Sequence, residues 1–176
     1  MRALFVGRFQ PLHLGHLKVV NFVLNRCEEL ILGIGSAQYS HTPENPFSAG
    51  ERFEMLTAVL KEKMAAIKIF IVPITDVHNH NLWVSHVESL VPRFDLVYAS
   101  NPLTELLFSK RGYRVEPVPV YDRTTFSSSE VRRRMALGEN WEELVPPEVA
   151  NYIKRIDGVK RVKVLYEWYA TDRRNK

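Results

Sequence analysis

The sequence predicts an α/β protein with a Rossmann-like, doubly wound parallel sheet of about five strands and a small helical C-terminal extension. Short apolar runs alternate with helical patterns five times, as in βαβ units. Polar clusters follow the predicted strands, at residues 7–16, 36–46, 76–83, 100–102 and 123–133. Ligands bind outside the carboxyl ends of the strands in such sheets, so we expect one site there. We expect a single domain over residues 1–176, with the helical segment at about 140–170.

Each strand is predicted from an apolar run that ends in small or polar residues. The predicted strands are residues 3–6, 29–36, 67–73, 95–99 and 113–120. Helices are predicted where apolar residues recur three and four positions apart. They begin near residues 17, 48, 82, 102, 127 and 147. In the second helix Ser48 and Glu51 have capping-box spacing, and we expect an apolar face of Phe53, Leu56, Val59 and Leu60.

Charge and cysteine content narrow the class of protein. The net charge of +4 is too small to require a nucleic acid partner, although it suits an anionic small substrate. Cys27 is the only cysteine, which indicates a reducing compartment, and we expect its thiol to be buried. No apolar stretch approaches the length of a membrane helix, so we expect a cytoplasmic protein without a membrane partner.

The turn at residues 7–16, Gly-Arg-Phe-Gln-Pro-Leu-His-Leu-Gly-His, joins the first strand to the first helix. Free N–H groups and the helix dipole make such a turn a phosphate site. Arg8 can hold a phosphate, and Gly15 leaves room for close approach of a ligand. His13 and His16, three residues apart, can present both imidazoles on one side of the first helical turn.

Two other interpretations of this histidine pair remain open at the level of the residues. The pair could ligate a transition metal, with His41, His78 or His80 completing the site. It could also be purely structural. Under the phosphate interpretation, the histidines donate hydrogen bonds to oxygens that gain charge in a transition state.

A second anion site is predicted at the start of the fifth predicted helix. Residues 127–129 are three serines, and Arg132 follows one turn later. Hydroxyls, free N–H groups and a guanidinium together suit a phosphate. The alternative is an ordinary capped helix with a solvated basic face. Together with the turn at 7–16, this cluster suggests a polyphosphate held between two helix N-termini.

The two motifs resemble those of the HxGH nucleotidyltransferases, and further segments resemble the archaeal-type nicotinamide-nucleotide adenylyltransferases. The segments are 7–16, 35–38, 45–52, 82–84, 100–103 and 126–132, and the resemblance extends from residue 2 to about 165. The second motif departs from the usual Ile-Ser-Ser/Gly-Thr pattern, but Ser129 keeps the hydroxyl. His80 stands where the family pattern has asparagine.

The resemblance implies adenylyl transfer from ATP to nicotinamide mononucleotide (NMN), giving NAD and pyrophosphate. It implies a magnesium ion carried mainly by the ATP phosphates, no protein metal site, and assembly into a homo-oligomer. It assigns catalysis to His13, His16 and Arg132. It assigns ATP binding to Gly7, Arg8, Phe9, Gln10, Gly15, Asn101, Ser127, Ser128 and Ser129. NMN binding falls to Asp76, His80 and Trp83, whose indole suits a cationic pyridinium ring.

Two rival functions remain. One is adenylyl transfer to another acceptor, such as flavin mononucleotide or phosphopantetheine. The other is a non-catalytic nucleotide sensor or RNA-binding module, for which the basic segment 154–176 is the support, with eight basic and three acidic residues. Its aromatic residues, Tyr166, Trp168 and Tyr169, favour helix or subunit packing over base stacking.

Overall fold

The computed structural model describes residues 1–119, 121 and 124–172, and within them a five-stranded parallel sheet forms the centre of the fold. The strands are Arg2–Gly7 (β1), Glu29–Ile34 (β2), Lys68–Pro73 (β3), Leu96–Ala99 (β4) and Arg114–Pro117 (β5). Their order is β3-β2-β1-β4-β5, so the strand order reverses between β1 and β4. The predicted doubly wound α/β fold is confirmed.

Helices connect the strands and extend the chain beyond them. The helices are Leu14–Leu24 (α1), Ala49–Met64 (α2), His80–Leu90 (α3), Pro102–Lys110 (α4), Ser128–Leu137 (α5), Pro147–Arg155 (α6) and Gly158–Asp172 (α7). A short 3₁₀ turn, Glu142–Leu144, precedes α6. Among the described residues, no helix is long and apolar enough to cross a membrane.

Both faces of the sheet are covered by apolar side chains. In β1, Ala3 and Phe5 belong to a cluster with residues of α1, α2, α5, α6 and α7. Leu4, between them, belongs to a second cluster with residues of α3 and α4. Because side chains alternate across a strand, this split shows helices packed on opposite faces of the sheet. Ala3, Leu4 and Phe5 are all almost fully buried.

The second helix begins as the sequence predicts, and its buried face keeps Leu56, Val59 and Leu60 but not Phe53. Ser48 caps it, and Ser48 and Glu51 form a reciprocal capping box. Its buried residues are Arg52, Met55, Leu56 and Leu60. The expectation that Phe53 lies on the buried face is wrong, since 37% of it is exposed. The spacing of apolar residues selects Phe53 for the first turn, whereas the residue buried there is the neighbouring arginine, Arg52.

Several predicted boundaries shift. Strand β5 ends at Pro117 instead of Val120, which lies outside the described residues. Asp122 and Arg123, in the predicted cluster 123–133, and residues 173–176 of the basic segment also lie outside them. The third helix begins at His80, two residues earlier than predicted, because the side chain of Asn79 accepts from the N–H of Asn81 and caps it. Cys27 is only half-buried, contrary to the expectation.

The last helix is attached to the sheet domain by ionic contacts. Nη1 and Nη2 of Arg161 in α7 donate to the carboxylate of Glu51 in α2, at 2.7 and 2.8 Å. Arg161 also donates to the carbonyl of Pro46, at 3.1 Å. These contacts connect the C-terminal helix to the loop and helix start that follow β2.

Candidate active site

A cavity of about 520 Å³ lies at the carboxyl ends of β1 and β4, where the strand order reverses. The predicted site residues that line it are Gly7, Arg8, Phe9, His13, Gly15, His16, Asp76, Trp83, Asn101, Ser127, Ser128, Ser129 and Arg132. They come from the loops after β1, β3 and β4, from α3 and from the start of α5. Gln10 and His80 do not line it.

The two histidines lie together at the start of α1. His13 caps the helix, and its Nδ1 accepts from the N–H of His16 at 3.3 Å. The rings stack with centroids 3.7 Å apart. A Cβ on Gly15 would lie 3.0 Å from His13 Nδ1 and 3.0 Å from Phe126 Cβ. Gly15 therefore allows the histidine pair to pack against the segment that precedes α5.

Burial keeps both imidazoles neutral. It lowers the pKa of His13 from 6.5 to about 4. Burial, with the neighbouring His13, also lowers the pKa of His16 well below its ordinary value. Because His13 Nδ1 accepts a hydrogen bond, the proton of the neutral ring lies on Nε2. Nδ1 of His16 is buried without a hydrogen-bond partner among the described residues. These rings can donate N–H groups to a ligand without carrying charge.

The residues of the predicted second anion site lie together at the start of α5. Ser127 caps the helix, since its hydroxyl accepts from the N–H of Glu130 at 3.2 Å. Ser128 donates to the carbonyl of Pro11 at 3.0 Å, which holds the helix start against the turn 7–16. Arg132 is only 9% exposed and donates from Nη1 to the carbonyl of Gln10 at 2.8 Å. Two helix N-termini thus face one cavity.

The three consecutive arginines of α5 have different surroundings. Arg133 and Arg134 both form ion pairs with Glu130, at 2.9 Å. Arg132 forms no ion pair with any described carboxylate and lines the cavity. The solvated basic face that the sequence allowed is therefore the surface formed by Arg133 and Arg134, while Arg132 belongs to the site.

Cations are concentrated around the cavity. Burial, and then repulsion from Arg8, lowers the pKa of Arg132 to about 10. The same two causes, in the same order, lower the pKa of Arg52 to about 10. Arg132 and Arg52 stay charged at neutral pH, and the nearby Arg8 destabilises the charged form of both. A polyanion would relieve this repulsion.

Arg52 is the residue whose importance the sequence least revealed. It is fully buried and donates to four backbone carbonyls. Nη1 donates to Arg8 and Gly35 at 2.9 and 2.8 Å, while Nη2 donates to Ser36 and Nε to Ser48, each at 3.2 Å. Arg52 therefore fixes the loops after β1 and β2 relative to α2. Its signals in the sequence were its position one residue after a capping glutamate and its place at the end of segment 45–52, which resembles the family.

Gln10 requires a correction. We expected it to contact ATP, but it is 1% exposed, and its amide pairs with the backbone of Phe47. Nε2 donates to the Phe47 carbonyl at 2.7 Å, and the Phe47 N–H donates to Oε1 at 3.0 Å. Because both Nε2 and Oε1 of the amide bind the Phe47 backbone, Gln10 positions the turn 7–16. Phe9 lines the cavity but is 1% exposed, with its ring edge-to-face against His16 at 4.9 Å.

A side chamber of about 290 Å³ adjoins the main cavity. Asp76, Trp83 and Thr104 line both spaces, so the two are neighbours. Trp83 is half-buried and packs edge-to-face on Phe108, with centroids 5.4 Å apart. Trp83 therefore packs against the core and also lines both spaces, while its stacking on a nicotinamide ring stays a prediction. His80 lines only the side chamber and not the main cavity, so the structure separates it from the residues assigned to the ATP phosphates.

Other residues of the cavity were not assigned from the sequence. They are Phe5, Val6, Val19, Gly35, Ser36, Ser100, Thr104, Val118, Pro119, Tyr121 and Phe126. Thr104 follows Asn101, whose side chain accepts from the Thr104 N–H at 2.9 Å and caps α4. Most of this set are apolar side chains or backbone, which carry no chemical motif. For those that follow β2, β4 or β5, a position directly after a predicted strand was the available signal.

Comparison with known proteins places the chain in a family. The profile described as cytidylyltransferase-like matches residues 4–134, which include both helix N-termini of the cavity. A nicotinamide-nucleotide adenylyltransferase of Archaeoglobus fulgidus is 50% identical over 167 residues, covering 93% of this chain and 96% of that protein. One of Pyrococcus horikoshii is 48% identical over 165 residues, covering 94% and 89%.

A solved structure shares the fold at lower sequence identity. It is the bifunctional NMN adenylyltransferase/ADP ribose pyrophosphatase of Francisella tularensis, complexed with AMP and a manganese ion. The TM-score is 0.77 at 20% identity, covering 98% of this chain and 54% of that one.

The fold, the cavity between two helix N-termini and the family profile define a nucleotidyltransferase of the cytidylyltransferase-like family. Within that family the chain belongs with the nicotinamide-nucleotide adenylyltransferases, given its identity to the two archaeal relatives. The resemblance noted in the sequence is confirmed.

Proposed function

We propose that the protein transfers the adenylyl group of ATP to nicotinamide mononucleotide, forming NAD and pyrophosphate. One observation carries this proposal most directly. Arg8, Arg132 and two neutral histidines surround a single cavity at the reversal of strand order, between two helix N-termini. This arrangement suits a polyphosphate with a reacting phosphorus at its centre.

The chemistry needs no nucleophile from the protein. A phosphate oxygen of the mononucleotide attacks the α-phosphorus of ATP, and the bond from that phosphorus to the bridging oxygen breaks. Pyrophosphate leaves with the electron pair, in line with the attack. The chain has to hold the two anions together and stabilise the charge that spreads over the α-phosphoryl oxygens.

On the ATP side, we assign transition-state stabilisation to His13, His16 and Arg132. Neutral imidazole N–H groups stabilise developing charge without requiring a protonated ring, which the burial of both histidines disfavours. Arg8 and Arg132 hold the triphosphate. Residues that support ATP through backbone or hydroxyl groups are Gly7, Phe9, Gly15, Asn101, Ser127, Ser128 and Ser129.

On the acceptor side, we assign the mononucleotide to the side chamber and its junction with the main cavity. Trp83 and Asp76 line both spaces, and His80 lines only the side chamber. An indole face suits the cationic nicotinamide ring. The chamber shares Asp76, Trp83 and Thr104 with the cavity that holds the histidines, so an acceptor bound there lies next to the proposed ATP site.

We propose that magnesium enters with ATP. In the part of the chain that is described, no three His, Cys, Asp or Glu side chains come together as a metal site. Magnesium is often held by substrate phosphates and water, which fits this donor set. When bound, the ion supplies charge neutralisation on the departing pyrophosphate.

Pyrophosphate release from ATP tests the function when each candidate acceptor is offered in turn. We expect release with NMN, coupled to NAD formation, and little release with flavin mononucleotide or phosphopantetheine. Release with another acceptor alone would replace NMN as the substrate. No release with any acceptor, despite ATP binding, would favour the nucleotide-binding module.

Assembly into a homo-oligomer and a cytoplasmic location also stay predictions. The exposed apolar side chains of α7, Val164 and Trp168 at 55% and 61%, support assembly with a further copy. Sedimentation of the purified chain measures the first of these predictions directly.

A further inference from the structure

The loops that follow β2 and β3 are joined side by side through their side chains. Nε2 of Gln38 donates to the carbonyl of Asp76 at 3.1 Å, and the Asp76 N–H donates to Oε1 of Gln38 at 2.9 Å. One residue further along the first loop and two residues further along the second, the hydroxyl of Tyr39 lies 2.6 Å from Nε2 of His78. We call these four residues the loop latch.

The fold alone does not account for the outer bond of the latch. His78 is exposed and Tyr39 is only half-buried, and a hydrogen bond in this setting adds little to stability. His78 nevertheless has a φ of 52°, and Ser36, at the start of the other loop, has a φ of 50°. Positive φ at residues other than glycine costs free energy and is concentrated at functional sites.

The latch borders the acceptor chamber. Asp76 and His78 both line the chamber, and Asp76 also lines the main cavity. Tyr39 lines neither space and reaches the chamber only through His78. Holding His78 against Tyr39 therefore fixes one wall of the chamber opposite the α4 side, where Leu103, Thr104 and Leu107 lie.

We infer that the Tyr39–His78 hydrogen bond is a positioning contact for the pyridine mononucleotide acceptor. It sets the geometry of the chamber wall before the acceptor binds, so it acts on acceptor affinity and not on the phosphoryl chemistry. The inference rests on the proposed function for the identity of the acceptor. Tyr39 and His78 are positioning residues under this inference.

Single and double variants test the contact. Tyr39→Phe removes only the hydroxyl, and His78→Asn shortens the side chain while keeping a residue that tolerates positive φ. We expect each to raise the KM and the calorimetric Kd for NMN about three- to tenfold, the range that one hydrogen bond accounts for. The double variant is expected to match the larger single effect, because both changes break the same bond.

The chain offers a matched control. Nε2 of His86 contacts Thr75 at 3.0 Å, which ties α3 to the same loop, but His86 lines neither cavity. His86→Asn is expected to leave the Kd for NMN unchanged. In all variants we expect kcat at saturating NMN and the KM for ATP to stay within about twofold, a range in which no hydrogen bond is lost.

Three results would overturn the inference. They are an unchanged NMN affinity in Tyr39→Phe, additive effects in the double variant, or an equal loss of ATP affinity. Failure of the proposed function is a separate result: the wild-type chain would form no NAD. The calorimetric titration with NMN reports on the latch even then, because it does not depend on turnover.

Discussion

Burial decides what the two site histidines can do. His13 is 6% exposed and has a pKa of about 4, so its ring is neutral at physiological pH. A neutral ring that accepts at Nδ1 keeps its N–H on Nε2, which is the donor a phosphoryl oxygen requires. The sequence predicted the pair and its shared side of the helix. It did not predict neutrality, since burial depends on packing such as that of Phe9 against His16.

Replacing His16 with alanine is expected to lower kcat about 10²–10³-fold while changing ATP affinity much less, because the lost hydrogen bond acts in the transition state. Steady-state kinetics combined with ATP titration measures both quantities. Turnover close to wild type would remove His16 from the mechanism. A parallel loss of ATP affinity would make it a ground-state contact.

Stability should fall in acid partly because of His13. The folded pKa of about 4 lies below the ordinary 6.5, so the unfolded chain binds a proton first. The stability that depends on neutral His13 is therefore complete above about pH 6.5 and is lost as the pH falls towards 4. Urea unfolding at pH 7.5 and 4.5 measures the loss.

His13→Asn keeps a good helix cap and removes the titrating ring. We expect it to reduce the acid-dependent loss of unfolding free energy by about 2 kcal/mol relative to wild type. An equal loss in both proteins would show that His13 is already protonated in the folded state or is not buried in solution.

Arg132 and Arg133 are adjacent but should respond differently. Arg132→Met is expected to weaken binding of both ATP and pyrophosphate roughly 10- to 100-fold, the range for hydrogen bonds to charged groups. Arg133→Met is the control, since Arg133 is paired with Glu130 and Glu139 on the surface. Calorimetry with each ligand measures the difference. Equal affinities in the two variants would contradict the second anion site.

At the scale of elements, α2 organises the loops of the site through Arg52. Arg52→Met is expected to destabilise the fold by about 3 kcal/mol or more, because four carbonyls lose their donor. It is also expected to raise the KM for both substrates, since it frees the loops after β1 and β2. Denaturant unfolding and kinetics measure the two effects. Normal substrate affinity in a destabilised variant would limit Arg52 to a structural role.

Element types were predictable from the sequence, while several boundaries and faces were not. The strands were recognisable in the sequence as apolar runs, and Ser48 and Ser127 were recognisable as helix N-caps. The buried face of α2 was predicted except in its first turn, where Arg52 is buried in place of Phe53 and is stabilised by tertiary hydrogen bonds that no local pattern records. Gln10 was misassigned for the same reason, since its partner Phe47 lies 37 residues away. The spacing of residues along the sequence does not show contacts between distant loops.

At the scale of the whole molecule, the topology brings the chemistry together. Reversal of strand order between β1 and β4 places the turn 7–16 beside the loop after β4, and α5 adds the second helix N-terminus. The side chamber, which we assign to the acceptor, is formed by the loop after β3 and by helices α3 and α4. In the proposed reaction, different elements therefore hold ATP and the acceptor beside the histidines. The single-domain organisation over 1–176 stays a prediction.

The central claim is that the α-phosphorus of ATP moves to the mononucleotide. Incubation of the protein with NMN and ATP labelled at the α-phosphate, followed by separation of the products, tests this claim most directly. We predict label in NAD, with one unlabelled pyrophosphate released for each NAD formed. Label recovered only in AMP or ADP, or transfer of the γ-phosphate to the acceptor, would contradict adenylyl transfer.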